Sequence, residues 1–268
     1  MNTAPRLPSL FLSHGAPDYA LAPGTAGAGL SALGQQLPRP RAIVALSPHW
    51  MSRGVVVGGA TRPTTIHDFA GFDPQLYQLQ YSAPGDPPLA EEIAALLQAQ
   101  RVPVQVDPTR GLDHGVWVPL RWLYAEADIP VVPLSMPVGL DPAGAYQLGR
   151  LLQPLAADGV LLIGSGSLTH NLGEFRQPRA DMDYVREFAD WMAAAVLADA
   201  REQLLDCLQQ APQAHRAHPT IEHLLPLYFA LGAAPEGHSR NSVLRGDITH
   251  RILAMDSYVF GSTEATLN

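Results

Sequence analysis

Short runs rich in Val, Ile and Leu alternate with longer stretches of helical period, and that alternation confines the chain to an α/β architecture. The apolar runs fall at residues 7–12, 42–46, 54–58, 102–106, 130–134 and 160–163, each close to Gly or Pro. They are rich in Val, Ile and Leu, as buried strands of an α/β sheet should be. Helical patterns lie at 27–36, 88–100, 118–127, 142–156, 183–210 and 220–231, with Pro88 and Pro142 suited to a first turn, where a missing N–H costs nothing. The expected fold is a single α/β domain over residues 1–268. Its central sheet is mixed or largely parallel, with helices on both faces. No internal repeat interrupts this reading.

Charge and cysteine content narrow the function. Seventeen basic residues against 25 acidic give a net charge of −8, and every basic residue is arginine. Without a basic stripe the chain lacks the phosphate-neutralising surface that nucleic acids require, and the same holds for anionic membranes. A lone cysteine, Cys207, excludes a disulfide framework and a cysteine-based zinc site. No signal-like start is present, and no apolar stretch reaches the ~18 residues of a membrane span, so the cytoplasm is the expected compartment.

The placement of the histidines carries the chemistry. His14 follows the run ending at Leu12, His49 follows the run ending at Leu46, and His170 follows Ile163 and Gly164–Ser165–Gly166. Open α/β sheets bind ligands beyond the carboxyl ends of their strands, so these three can converge from distant segments. His114 sits in a tight Gly111–Gly115 loop before a helix, and His223 in the first turn of an apolar helix. His67 reads as a substrate loop or a structural turn, and His215, His218, His238 and His250 as solvent-facing. Imidazoles without thiolates suit Zn, Cu, Fe or Ni, and few protein ligands leave coordination positions open for catalysis. An unligated histidine nearby can move protons near neutral pH. Read this far, the residues describe a histidine-rich metal site without choosing its reaction.

The motifs as an ordered set go further. They are Ser13–His14–Gly15–Ala16–Pro17, Ser47–Pro48–His49–Trp50, His67–Asp68–Phe69–Ala70–Gly71–Phe72, Tyr81–Ser82–Ala83–Pro84–Gly85, Gly111–Leu112–Asp113–His114–Gly115–Val116–Trp117, Gly164 through Leu172, and Glu222–His223–Leu224–Leu225–Pro226–Leu227. Together they resemble the class III extradiol ring-cleavage dioxygenases, in the 4,5-DOPA-dioxygenase-like branch, over nearly the whole chain. The resemblance implies a mononuclear Fe(II) site that inserts O2 into a catechol ring beside its two hydroxyls; some members of the branch hold Zn(II). It implies His14, His49 and His223 as metal ligands, with Glu222 as the alternative third ligand. It also implies His170 as the acid/base and His114 as a second pocket histidine. Adjacent residues of a helix point about 100° apart, which favours His223 alone facing the metal, with Glu222 behind it.

A zinc-dependent hydrolase would use the same histidines, with metal-bound water as nucleophile. A non-enzymatic binding module is the third reading, and a proton-moving histidine beside a metal speaks against it. Gly164–Ser165–Gly166–Ser167 is not a dinucleotide loop, because Thr169 takes the place of the last glycine, nor is it a nucleophile elbow. The expected partners are a small catechol and O2. Tyr77, Tyr81, Trp117 and Tyr258 are candidate pocket aromatics. A homo-oligomer is compatible with the composition, and neither the native metal nor the particular catechol is written in it.

Overall fold

A computed structural model describes residues 7–177, 181–235 and 240–262. In chain order its elements begin with β1 (Ser9–Ser13), α1 (Gly24–Gln36), β2 (Ala42–Ser52), β3 (Val55–Gly58), α2 (Pro87–Ala99) and β4 (Val104–Asp107). Next come α3 (His114–Leu123), β5 (Val131–Pro137), α4 (Pro142–Leu152), β6 (Val160–Gly166), α5 (Leu172–Arg176) and α6 (Asp183–Leu197). Short helices α7 (Arg201–Leu205), α8 (Cys207–Gln210) and α9 (Ala214–Ala217) lead to α10 (Leu225–Ala233). The chain closes with β7 (Arg240–Leu244), β8 (Ile248–Thr249), β9 (Leu253–Ala254) and β10 (Ser257–Ser262).

Eight strands form one sheet in the order β4-β3-β5-β2-β6-β1-β10-β7. The centre, β5-β2-β6-β1, is parallel throughout; β3 joins it antiparallel on one side and β10 on the other. Side chains alternate strictly between two cores, as a pleated strand requires. Phe11, Val44 and Leu162 point into one core with Leu89, Ile93, Leu148 and Phe229. Leu10, Leu12, Ile43 and Leu161 point into the other with Leu30, Leu33 and Trp117. The expected fold, a mixed sheet with helices on both faces, is therefore present. The first turns of α2 and α4 use the same chemistry: Asp86 and Asp141 accept from the backbone N–H groups of Leu89 and Gly144, with prolines in the first turn.

Three expectations need correction. The expected helix 183–210 breaks after Leu197, where Asp199 takes a left-handed φ of 49°. The last long helix begins at Leu225 rather than at 220, because Pro226 fits only a first turn. Strands β7 to β10 were missed altogether. The run Tyr258–Val259–Phe260, bounded by Asp256 and Gly261, was the available signal for β10, which is buried along its whole length.

Candidate metal centre

The carboxyl ends of the parallel strands set out the first candidate ligands. His14 is the residue after β1, and its backbone N–H donates to Gly166 of β6 at 2.9 Å. His49 lies inside β2, not past its end as expected. Pro48 has no N–H to give the ladder, and the register between β2 and β5 shifts between Leu46 and Met51, which places an irregularity at His49. The hydroxyl of Ser47 donates to buried Asp113 at 2.7 Å, pinning the bend to the N-terminus of α3.

A proline fixes the tautomer of His14. Pro119 sits inside α3 and cannot donate back to the carbonyl of Gly115, which leaves that oxygen free. The Ser165 hydroxyl donates to it, so the Ser165 oxygen must accept from His14, whose Nδ1 is 3.1 Å away. His14 therefore keeps its Nε2 lone pair, which faces Nε2 of His49 at 3.2 Å.

Two carboxylates hold the remaining imidazoles. Asp68 accepts both from the backbone N–H of His114 at 2.8 Å and from its Nδ1 at 2.9 Å, and lies 3.5 Å from Nδ1 of His49. His114 is thus the first residue of α3, not a loop residue. Residues 222–224 form a turn, so the helical geometry expected for Glu222 and His223 does not apply. Glu222 folds back beside its neighbour, with Oε1 at 3.0 Å from Nδ1 of His223 and 4.0 Å from Nδ1 of His170. The rings of His170 and His223 stack at 3.5 Å and 13°. Gly164 and Gly166 lie within β6; a Cβ at either would strike the carbonyl of Pro226 or of His223, so they let this segment lie against the strand. His170 is held by its own N–H, which donates to Ala217 at 2.8 Å, while Asn171 caps α5 and donates to Arg216.

All five predicted histidines line one cavity of about 490 Å³, within the ~300–1,000 Å³ usual for small-molecule sites. Ring centroids of His14, His49 and His223 are 5.0, 5.1 and 5.5 Å apart, a nearly equilateral set. The donor atoms of His14, His49 and His114 lie within 4.8 Å of one another, and those of His170, Glu222 and His223 form a second such group. Burial, reinforced by the neighbouring imidazoles, holds His14 well below its ordinary pKa and brings His49 to about 2 and His170 to about 3. Burial lowers His223 as well, against the pull of Glu222. Glu222, bonded to His223, is drawn down to about 2; Asp68 reaches about 2 because its bonds to His114 outweigh its burial.

This donor set fits a metal ion. Burial keeps His14, His49 and His223 neutral, as ligands must be, and carboxylate or hydroxyl partners at Nδ1 aim the opposite nitrogens. Two nitrogens sharing a cation at about 2.1 Å stand roughly 3.0–3.4 Å apart, and His14 and His49 match that spacing.

The expected aromatics lie elsewhere. Tyr81, Trp117 and Tyr258 are buried in the cores, with Tyr81 and Trp117 bonded to the carbonyls of Tyr124 and Ile66; Tyr77 packs on Phe69 outside the lining. Phe69, Phe72 and Phe175 line the cavity instead, the first two from the His67–Phe72 motif. His67 lies outside the lining, in irregular chain, with its Nε2 3.0 Å from the Leu79 carbonyl. His215 and His250 are exposed as expected, His238 lies outside the described residues, and His218 is buried, which corrects its assignment to solvent. Among the described residues no helix is long and apolar enough to cross a membrane.

Residues 26–261 match the family described as the catalytic LigB subunit of aromatic ring-opening dioxygenase. The 4,5-DOPA dioxygenase extradiol of Beta vulgaris is 38% identical over 261 residues, spanning 95% of this chain and 97% of its own. The Escherichia coli (strain K12) protein of the same name is 37% identical over 234 residues, 85% of each. A crystal structure of an uncharacterized Escherichia coli K12 protein superposes with a TM-score of 0.75 at 31% identity, covering 96% of this chain and all of the other. With a histidine-lined cavity at the carboxyl edge of its sheet and this extent of similarity, the chain belongs to the LigB family of aromatic ring-opening dioxygenases.

Proposed function

We propose that this protein cleaves a catechol ring in the extradiol position, using one Fe(II) held by His14, His49 and His223. The observation that carries the reading is the gathering of five imidazoles on a single cavity, three of them evenly spaced. The even spacing supports His223 as the third ligand. His114 instead packs its ring against that of His49 at 4.0 Å, with its Nδ1 committed to Asp68. When bound, the metal supplies Lewis acidity toward the catechol oxygens and a route for electrons to O2. An all-imidazole set also suits Zn(II).

The protein's own groups do the rest. His170, kept neutral by burial, accepts the proton released by a phenolic hydroxyl, and Glu222 at 4.0 Å steadies the imidazolium that forms. His114, anchored by Asp68, presents its other nitrogen to the substrate as a hydrogen-bonding partner. Phe69, Phe72 and Phe175 cover the apolar ring and keep water from it. A zinc hydrolase on the same histidines has no observation of its own. Anaerobic loading with Fe(II) or Zn(II), followed by a catechol panel on an oxygen electrode, tests the proposal. The iron form takes up O2 with a yellow ring-opened product; a fully loaded protein that consumes none with any catechol ends it.

A further inference from the structure

The cavity's mouth differs in charge from its floor. Apart from the histidines, its lining is apolar or small with one exception, Arg176, the last residue of α5. The two site carboxylates do not line the cavity; they stand behind the imidazoles they hold. Glu174, the acid nearest Arg176 on the helix, is taken by Arg216 through contacts of 2.9 and 3.3 Å. Among the described residues no hydrogen bond or ion pair occupies the guanidinium of Arg176, and the residue is exposed. α5 is itself fixed at its start by the Asn171 cap, so the arginine is carried on an anchored element.

We infer that Arg176 is the specificity residue of this site: it pairs with a carboxylate on the substrate's side arm, making the preferred substrate an anionic catechol. The inference rests on the ring-opening reading for the position of the catechol but not for the charge at the mouth. A planar guanidinium meets a carboxylate through two parallel N–H···O bonds, which orients the side arm as well as attracting it. With the arm held at the lip, the ring lies among Phe69, Phe72 and Phe175 and its hydroxyls reach the histidines. A single arginine among Leu172 and Phe175 suits one negative charge; an ammonium arm would face repulsion with no lining carboxylate to answer it.

The test compares 3,4-dihydroxyphenylpropionate, 4-methylcatechol and dopamine on metal-loaded wild type, Arg176→Gln and Arg176→Glu. Binding is read by anaerobic calorimetry and turnover by O2 uptake. Wild type binds the acid about three- to five-fold more tightly than 4-methylcatechol, a margin that shrinks with salt because the arginine is exposed. Arg176→Gln removes the margin, Arg176→Glu turns the preference toward dopamine, and 4-methylcatechol stays within two-fold in all three proteins. No preference in wild type, or one that survives Arg176→Gln, overturns the inference. A preference lost with the arginine in a protein that consumes no oxygen leaves the anion subsite standing and sinks ring opening. Oxygen consumption with a preference indifferent to Arg176 does the reverse.

Discussion

His218 and His223 are near neighbours in the chain, both are withdrawn from water, and burial lowers the pKa of both, yet they face opposite chemistry. His223 gives its Nδ1 to a carboxylate and stands at the cavity with four other imidazoles. His218 points away from it, donating from Nε2 to the Leu168 carbonyl at 2.8 Å with its ring edge-on to Phe188. Burial therefore does not mark a functional histidine. What marks it is an acceptor behind one nitrogen and open space before the other.

The largest effect that could break this contrast is on metal content. His14→Ala and His223→Ala are expected to lose the metal by elemental analysis, His170→Ala and His114→Ala to keep it while turnover falls roughly 10²–10⁴-fold, and His218→Gln to keep both metal and turnover. A metal-free His218→Gln protein, or a metal-replete His223→Ala protein, would dissolve the distinction. A smaller effect sharpens it. Glu222→Gln and Ser165→Ala remove the partners behind His223 and His14, and competition with a chelator should show metal affinity down about 10–100-fold. Unchanged affinity in both would mean that the partners do not aim the ligands.

The smallest effect concerns stability alone. Burial brings His218 down to about 4, whereas in the unfolded chain it titrates near 6.5. Between these values the unfolded state binds a proton that the folded state does not, so stability rises with pH across the window. The full penalty is present below pH 4 and absent above 6.5. Urea titrations of metal-free protein should show that His218→Gln flattens this limb by about 1.4 kcal/mol per pH unit. An unaltered slope would put a proton acceptor beside His218.

How much of this was legible follows from what each feature depends on. Uniformly apolar runs marked β1, β2 and β6, and with them His14 and His49, because strands buried on both faces leave a local trace in composition. His170 was legible in the same way behind β6, and His114 and His223 through ordered motifs. The identity of the cavity's aromatics was not: Trp117 and Phe69 look alike as sequence, and only packing sends one to the core and the other to the lining. Polar neighbours hid the burial of His218, and nothing local announces that Pro119 frees a carbonyl for Ser165. The short closing strands escaped for want of length, and Pro226, which sets the start of α10, was visible but unused.

The two glycines of β6 also bring distant parts of the chain together. By admitting the His223 turn against the strand, they make the donor set a junction between chain ends: His14 enters with the first strand and His223 with the final long helix. Under the proposed ligand set, a cation seated between them would link residues more than two hundred positions apart, so occupancy would double as a readout of complete folding, and free metal in the medium would bias the chain toward its finished form by mass action.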